Sequence, residues 1–197
     1  MVLPNPVAVV RAPSTATAPD GTVRFLFLGQ LERSKGVWLL LETLRRLPQN
    51  NWLLRVVGSG GQEDRLRAEF GSHPNVKFYG RQSHAAINQL LAQTDLTVVP
   101  SICYENAPTA ITESLAMGVP VIAADIGGVP ELVHDGINGH TFAPNDAANL
   151  AKVLSYYLHH PDEIARLKAG TVESVRASLL PQYIQRLLGY VGPAATS

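Results

Sequence analysis

The sequence predicts an α/β fold in which a doubly wound parallel sheet carries helices on both faces. From residue 23 onward, short apolar runs alternate with amphipathic segments of helical periodicity. The runs are almost continuously apolar, which is typical of parallel strands that are buried on both faces. The connections between them are short, and this favours a doubly wound sheet with right-handed crossovers.

The first half of the chain predicts four strands and three helices. The strands are residues 23–28, 52–57, 76–79 and 96–99, and each is followed at once by glycine or proline. The first two helices cover residues 37–47, where leucines recur at helical spacing, and residues 62–70. A third helix begins after Ser83, a residue type that caps helix N-termini.

The second half continues this alternation and then becomes helical. The predicted elements are a helix at 107–117, a strand at 119–123, a helical turn at 130–133, turns at Asp135-Gly136 and Asn138-Gly139, a helix from Asp146 to about 159, a helix from Pro161 to about 178, and an amphipathic segment at 183–190.

Composition excludes several classes of function. The 197 residues suffice for one large domain or two small ones, and the 16 basic residues balance 16 acidic ones. A neutral chain argues against capture of nucleic acid or of an anionic membrane by charge alone, although a local cationic spot remains open. Cys103 is the only cysteine, so internal disulfides and multi-cysteine metal sites are excluded and a reducing, cytoplasmic setting is the default. No apolar run approaches the roughly 18 residues of a membrane span, and the N-terminus lacks signal-peptide features.

Five loops are candidates for the functional site, because ligands of doubly wound sheets bind outside the carboxyl ends of the strands. These loops are residues 29–36, 58–61, 80–83, 100–109 and 125–130.

The first loop, G-Q-L-E-R-S-K-G, places Lys35 at the start of a predicted helix. An ammonium group beside helix N–H groups suits a phosphate, because both favour negative charge. The loop lacks the Walker pattern, and a lone lysine there is also compatible with a solvated surface charge. The Gly58-Ser59-Gly60-Gly61 cluster is equally compatible with a plain tight turn.

The fourth loop leads into E-N-A-P-T-A-I-T-E, residues 105–113. Pro108 near the first helical turn leaves the N–H groups of Thr109 and Ala110 directed into the expected cleft. Glu105 lies just outside the predicted helix, whereas Glu113 lies more than one turn inside it, so the spacing does not imply a shared proton. Two carboxylates that reach separate hydroxyl pairs of an elongated ligand fit this spacing. The spacing is equally compatible with no ligand at all, if one glutamate is favoured at the helix start by the helix dipole and the other has a structural role.

The fifth loop contains Gly127-Gly128, which would let the backbone approach a ligand, but a plain strand-to-helix turn explains it equally. The six histidines show no metal-binding spacing, and we expect each at the surface or in the core rather than as a ligand. No Ser-His-Asp arrangement can be argued.

Together these motifs resemble the C-terminal domain of the retaining GT-B glycosyltransferases of group 1, also called family 4. The matching motifs are G-Q-L-E-R-S-K-G (29–36), V-V-G-S-G (56–60), V-K-F-Y-G (76–80), D-L-T-V-V-P-S (95–101), E-N-A-P-T-A-I-T-E-S-L-A-M-G-V-P-V-I-A (105–123), G-G-V-P-E-L-V (127–133) and D-G-I-N-G (135–139). The resemblance covers nearly the whole chain and implies a Rossmann-like sheet that forms half of a GT-B fold.

The resemblance implies a site for a nucleotide-diphosphate sugar, with neither metal nor cofactor. Lys35 would contact the diphosphate, Glu105 the hydroxyls of the donor sugar, and Glu113 the ribose; Lys35 and Glu105 are the catalytic candidates. The remaining implied donor-binding residues are Gly29, Gln30, Gly58, Arg81 and Gln82 (the last two near the base), and Asn106, Ala107, Pro108, Thr109 and Ala110, whose backbone approaches the sugar and phosphates.

Two positions depart from the family pattern. Gln30 stands where arginine is usual, and a neutral amide stabilises a diphosphate leaving group less well than a guanidinium. Lys35, the helix amides and Arg33 are expected to compensate in part. Asn106 stands where glycine is common and would narrow the space beside the sugar.

The resemblance divides the chain into a linker, residues 1–22, and a nucleotide-sugar-binding domain, residues 23–197. In this family the acceptor binds on an N-terminal domain, against which the segment at 183–190 would pack. We therefore expect either a piece of a longer chain, which Met1 placed directly before the linker motif V-L-P-N-P-V favours, or a natural single-domain protein. An acceptor at a membrane, reached through the N-terminal domain, would make the protein peripheral there.

Three functions remain open at this stage. The first is the donor-binding half of a retaining hexosyltransferase, inactive in isolation. The second is a non-catalytic binding or scaffold protein with a degenerate site, which Gln30 favours. The third is half of a GT-B sugar-nucleotide epimerase, although this chain shows no further acid or base in the expected cleft.

Overall fold

The computed structural model describes residues 21–104 and 108–174. In these ranges, six parallel strands form one sheet in the order β3-β2-β1-β4-β5-β6. The strands are β1 Val23–Leu28, β2 Trp52–Val57, β3 Val76–Gly80, β4 Leu96–Val99, β5 Val121–Ala124 and β6 Gly139–Phe142. The doubly wound parallel sheet predicted from the sequence is thereby confirmed.

Within the same described ranges, six α-helices connect and follow the strands. They are α1 Val37–Arg46, α2 Glu63–Phe70, α3 His84–Leu91, α4 Thr109–Ala116, α5 Ala147–His159 and α6 Pro161–Ser174. Short 3-10 turns at Arg33–Lys35 and Val129–Glu131 lie in the connections. Within the described ranges, no helix is both long enough and apolar enough to cross a bilayer.

The helices divide between the two faces of the sheet, as alternate residues of β1 show. Phe25 and Phe27 are buried in the same apolar cluster as the leucines of α1 and α5. Leu26 points to the other face, where it packs with Leu91 of α3 and Met117 at the end of α4. The chain therefore leaves β1 on one face and β4 on the other, and β1 and β4 are neighbours in the sheet.

The turn predicted at Asn138-Gly139 is confirmed only for Asn138, because Gly139 begins a strand that the sequence did not predict. Asn138 is buried, and its side chain accepts a hydrogen bond from the His134 N–H (2.7 Å) and donates one to the Leu132 carbonyl (2.8 Å). These bonds close the preceding loop and direct residues 139–142 along β5, where they pair in parallel. A four-residue strand that directly follows an Asn and begins with Gly carries the sequence signal of a turn.

Other differences from the predicted elements are small shifts of boundaries. The fifth strand is Val121–Ala124 rather than 119–123, and α4 begins at Thr109 with Pro108 as its N-cap. The 3-10 turn at Val129–Glu131 replaces the helical turn expected at 130–133. The linker up to residue 20 and the segment at 183–190 lie outside the described residues.

A buried ion pair anchors α6 at the amino edge of the sheet. Lys168 Nζ lies 3.1 Å from Asp95 Oδ1, and both side chains are about 5% exposed. The other carboxylate oxygen of Asp95 accepts a hydrogen bond from the Arg24 N–H at 2.9 Å. The pair thus joins the beginnings of β1 and β4 to α6, at the end of the sheet opposite the predicted site.

We predict that Lys168→Ala lowers the free energy of unfolding by about 3–5 kcal/mol, because it leaves the buried Asp95 carboxylate without its cation. Urea denaturation measures this change. Arg166→Ala on the same helix removes an exposed ion pair to Glu163 and is the matched control, with an expected loss below about 1 kcal/mol. Equal losses in the two variants would contradict a structural role for the buried pair.

Candidate functional site

A cleft opens at the carboxyl edge of the sheet between the loops that follow β1 and β4. It consists of two adjoining cavities of about 310 Å³ and 440 Å³. Both cavities are lined by Leu28, Gly29, Gln30, Thr109 and Ala110. The smaller one continues towards Lys35, Ser101 and Pro108, and the larger one towards Gly58, Arg81, Gln82, His84 and Glu113.

Lys35 lines the smaller cavity from the end of a 3-10 turn that leads through Gly36 directly into α1, so it lies just before the start of the predicted helix. Gly36 follows with φ +69° and caps α1, and a Cβ atom at this position would overlap the Pro100 carbonyl oxygen. The Ile102 N–H also donates to the Ser34 carbonyl at 2.8 Å. The loops after β1 and β4 are thus fastened together beside the lysine.

The N-terminus of α4 forms the wall shared by the two cavities. Pro108 precedes it in an extended conformation (ψ 116°), so Thr109 and Ala110 provide the first helical N–H groups. Such N–H groups have no acceptor within their own helix, and the helix dipole makes this end attractive to anions. Ser114, one turn further on, fixes the helix to the sheet because its Oγ lies 2.8 Å from Thr97 Oγ1 of β4.

Gly58 brings the loops after β1, β2 and β3 together beneath the larger cavity. Its φ is +136°, and an added Cβ would overlap the carbonyl oxygen of Gly29. The Gly58 N–H donates to the Gly80 carbonyl at 2.9 Å, and the Gly29 N–H donates to the Val57 carbonyl at 3.1 Å. The glycine cluster therefore does more than make a turn, since it shapes a wall of the cleft.

Glu113 is the half-buried carboxylate of the larger cavity. Burial raises the pKa of its carboxyl above the ordinary value of 4.5, and the charge of nearby His84 lowers it by a smaller amount. A carboxylate held in this way accepts hydrogen bonds from hydroxyl groups that enter the cavity.

The loop after β3 closes the far side of the larger cavity. Arg81 is exposed, and the Gln82 side-chain amide donates a hydrogen bond to the Tyr79 carbonyl at 2.7 Å. His84 and Ile87, on the first turn of α3, also line the cavity. His84, which was expected at the surface or in the core rather than as a ligand, is exposed and borders the cleft.

A third cavity, of about 360 Å³, lies on the α1 side of the β1 loop. Its wall includes Trp38, whose ring lies beneath the Arg65 guanidinium at 5.4 Å. Arg33 lines this cavity and neither of the two that form the cleft. This placement argues against the expectation that Arg33 compensates for Gln30.

The candidate residues that the structure describes all line the cleft, as expected from loops at the carboxyl ends of the strands. They are Gly29, Gln30, Lys35, Gly58, Arg81, Gln82, Pro108, Thr109, Ala110 and Glu113. Glu105, Asn106 and Ala107 lie outside the described residues. Gly127 and Gly128 line neither cavity of the cleft. Sequence reasoning did not single out four lining residues. Ser59 and Ser101 lie inside the predicted loops 58–61 and 100–109, whereas His84 and Ile87 follow the loop at 80–83 and carried no other signal.

The arrangement suits a ligand that combines an anionic group with hydroxyl groups. Lys35 and the first amides of α4 attract negative charge. Glu113, one turn further along α4, can accept hydrogen bonds from hydroxyl groups. In the part of the chain that the structure describes, no three His, Cys, Asp or Glu side chains converge as metal ligands would.

Comparison with known proteins gives consistent matches. A family model described as glycosyl transferases group 1 matches residues 13–172. Glycogen synthase of Mycobacterium tuberculosis is 32% identical over 166 residues, which cover 81% of this chain and 40% of that protein.

Two solved structures share the fold. Anabaena HepE in complex with UDP superposes with a TM-score of 0.77 at 24% identity, over 87% of this chain and 49% of that one. The lipopolysaccharide outer core galactosyltransferase WaaB superposes with a TM-score of 0.81 at 23% identity, over 95% of this chain and 54% of that one. The chain therefore spans about half the length of the proteins that it matches.

We predict that Glu113→Gln stabilises the protein slightly at neutral pH. Because burial raises the pKa of this carboxyl in the folded state, its ionisation opposes folding as pH rises through that pKa. The gain in melting temperature over wild type should therefore be present at pH 7 and vanish well below pH 4.5. Glu69→Gln, at an exposed glutamate of α2 that pairs with Arg45, should show no gain at any pH. A lower melting temperature for Glu113→Gln than for wild type at pH 7 would contradict the conclusion that burial raises the pKa of the Glu113 carboxyl.

Proposed function

This chain belongs to the group 1 glycosyl transferases, and on that premise we propose that it binds the nucleotide-diphosphate sugar from which the full enzyme transfers a hexose. The observation that carries the proposal is the convergence of Lys35, the first amides of α4 and Glu113 on one cleft. We place the enzyme among the retaining GT-B transferases of family 4, with the E-x7-E motif from Glu105 to Glu113 at its donor site.

The diphosphate occupies the smaller cavity in this proposal. Lys35 contributes a full positive charge, and the N–H groups of Thr109 and Ala110 contribute the positive end of a helix dipole. Gly29 leaves space for the phosphates beside the Gln30 side chain. These groups meet the charge of the diphosphate without a metal ion or a cofactor.

The nucleoside occupies the larger cavity. Glu113 accepts hydrogen bonds from the ribose hydroxyls, and the backbone near Gly58 together with Arg81 and Gln82 borders the base. A volume of about 440 Å³ lies within the range of small-molecule sites. The donor sugar extends beyond Pro108. From the E-x7-E motif we assign the contacts to its hydroxyls to Glu105, and backbone contacts to Asn106 and Ala107.

Catalysis follows from where charge develops. When the bond between the anomeric carbon and the diphosphate oxygen breaks, negative charge grows on the leaving group. Lys35 and the α4 amides stabilise that charge and thereby lower the barrier. In our proposal the acceptor binds on a separate N-terminal GT-B domain, so this chain alone binds nucleotide but transfers no sugar. The proposed setting is the cytoplasm, with membrane association only through that domain.

A second candidate function is a non-catalytic sugar-nucleotide-binding or scaffold protein. Gln30 favours it, because this neutral side chain borders both cavities where the family pattern has arginine. A site that lacks this guanidinium loses a bidentate, charge-assisted contact to phosphate. The two functions differ in whether restoration of the charge restores transfer by the full enzyme.

We predict that the chain binds one of uridine, guanosine or adenosine diphosphate, with no transfer of sugar. Glu113→Ala should weaken this binding by about tenfold or more, because hydrogen bonds to a charged acceptor contribute roughly 1.5–3 kcal/mol. Isothermal titration calorimetry measures both the binding of nucleotide to wild type and its weakening in Glu113→Ala. Glu69→Ala on the surface of α2 is the matched control and should bind like wild type. Absence of heat with all three nucleotides would overturn the proposed function.

We predict that Gln30→Arg tightens binding of the same nucleotide by about tenfold, since a guanidinium adds a charge-assisted contact to the diphosphate. Gln89→Arg adds the same charge at an exposed position of α3 outside the cavity linings and is the control for a general effect of charge. Calorimetry at constant ionic strength compares the three proteins. Equal gains in both variants would show that Gln30 does not lie beside the phosphates.

In the full enzyme, Gln30→Arg also separates the two candidate functions. Faster sugar transfer is expected if the site is weakened but active. Tighter binding without any transfer would favour the scaffold function.

A further inference from the structure

We propose that Glu32 is a positioning residue of the nucleotide site, whose carboxylate holds the glycine-rich loop after β2 (residues 58–61) against the loop after β1. This inference rests on the proposed function, and it adds a residue to which no contact with the donor is assigned. Glu32 lines neither cavity of the cleft, so it acts on the ligand through the two loops that it joins.

The contact that carries the proposal is a short hydrogen bond between these loops. The Gly61 N–H donates to Glu32 Oε1 at 2.6 Å, across 29 positions of the chain. A Cβ atom at Gly61 would lie only 3.3 Å from the same oxygen, so glycine lets the carboxylate approach this closely. Hydrogen bonds to an ionised acceptor are shorter and stronger than those between neutral groups. The carboxylate is therefore a firm attachment point for the loop.

Two backbone hydrogen bonds set the register of the loops beside this contact. The Leu31 N–H donates to the Ser59 carbonyl at 3.0 Å, and the Gln62 N–H donates to the Leu31 carbonyl at 2.9 Å. The two residues between these bonds are both glycine, which has the largest conformational freedom of all residues. Because Glu32 binds the second glycine, the loop is held at its most flexible point as well as on either side of it.

The same bond supports the start of α2, where the local sequence provides no capping side chain. Gln62 is the N-cap residue, but its side chain makes no cap hydrogen bond. Its amide oxygen instead accepts a hydrogen bond from Trp38 Nε1 at 3.2 Å. Glu32 brings a negative charge to this helix end from another loop, and the helix dipole favours such a charge. The dipole of α2 thus stabilises the carboxylate in the position where it holds the loop.

The joined loops contribute walls of the proposed nucleotide site. Gln30 borders both cavities from the β1 loop, and Gly58 and Ser59 border the larger cavity from the β2 loop. A loop that became ordered only on contact with the nucleotide would reduce affinity, because the cost of ordering is subtracted from the free energy of binding. The bond to Glu32 orders the β2 loop before the nucleotide arrives.

The sign of the effect separates positioning from a direct effect of charge. Glu32 lies in the same loop as Lys35, and a carboxylate there repels a negative ligand. Removal of the charge alone would therefore tighten nucleotide binding, whereas release of the loop would weaken it. Glu32→Ala removes both the charge and the acceptor. Glu32→Gln removes only the charge, because the amide keeps an acceptor oxygen at the same distance along the side chain.

The test compares wild type with Glu32→Ala and Glu32→Gln. Asp64→Ala is the matched control, because this exposed carboxylate lies on the first turn of α2 and lines neither cavity of the cleft. Calorimetry measures the affinity for UDP, or for whichever nucleoside diphosphate binds, at a temperature at which melting curves show every variant to be folded. Hydrogen exchange of the Gly61 amide, followed by NMR without ligand, measures the bond itself. If Glu32→Ala does not fold, Glu32→Asp, whose side chain is one methylene shorter, replaces it.

We expect Glu32→Ala to weaken nucleotide binding by about three- to tenfold, since part of the β2 loop must then be ordered on binding. The Gly61 amide should exchange faster in this variant than in wild type. Glu32→Gln should recover most of the lost affinity and of the protection of the Gly61 amide. Asp64→Ala should match wild type in both measurements.

Two results would overturn the role of Glu32 while the proposed function stands. The first is that folded Glu32→Ala binds nucleotide as tightly as wild type or more tightly, because the carboxylate then only stabilises the fold or repels the ligand. The second is that Glu32→Gln binds as weakly as Glu32→Ala, because an acceptor at this position then does not restore the site. If no nucleotide binds to wild type, the proposed function itself fails, and the role of Glu32 fails with it.

Discussion

The separation of α1 and α4 onto opposite faces of the sheet is the constraint on which the site depends. These helices follow β1 and β4, which are adjacent strands, so their first turns diverge and leave a crevice at the carboxyl edge. Every described residue assigned to the site lines one of the two cavities of this crevice. Apolar side chains of β1 pack on both faces of the sheet, with Phe25 on one face and Leu26 on the other. Because helices can then cover both faces, the binding cleft opens where the two layers of helices separate.

Close backbone contacts turn this crevice into a shaped cleft. Gly36 lies against the Pro100 carbonyl and Gly58 against the Gly29 carbonyl, at positions where any side chain would collide. The loops are thus fixed by the sheet and by one another rather than by a ligand. The same cleft contains a group that opposes folding at neutral pH, because Glu113 ionises in a half-buried place. Functional sites commonly concentrate such perturbed groups, and the stability of the fold is supplied elsewhere.

Apolar runs and glycine punctuation sufficed to predict the first five strands and the edge at which the site lies. They failed where structure depends on pairing between distant residues. The strand at Gly139–Phe142 is short and follows Asn138, whose side-chain bonds within the loop carry no periodic signal. Lys168 and Asp95, 73 positions apart, form an ion pair that no local pattern indicates. His84 looked like a surface residue, because only the packing of α3 shows that this surface is the wall of the cleft.

The central claim is that the cleft between β1 and β4 receives a nucleoside diphosphate, and chemical-shift mapping of backbone amides during titration with UDP, or with whichever nucleotide binds, tests it most directly. The account predicts the largest changes at Gly29, Lys35, Gly58, His84, Thr109 and Glu113, on both walls of the cleft. Changes confined to the third cavity, around Trp38 and Arg65 on the α1 side, would contradict it.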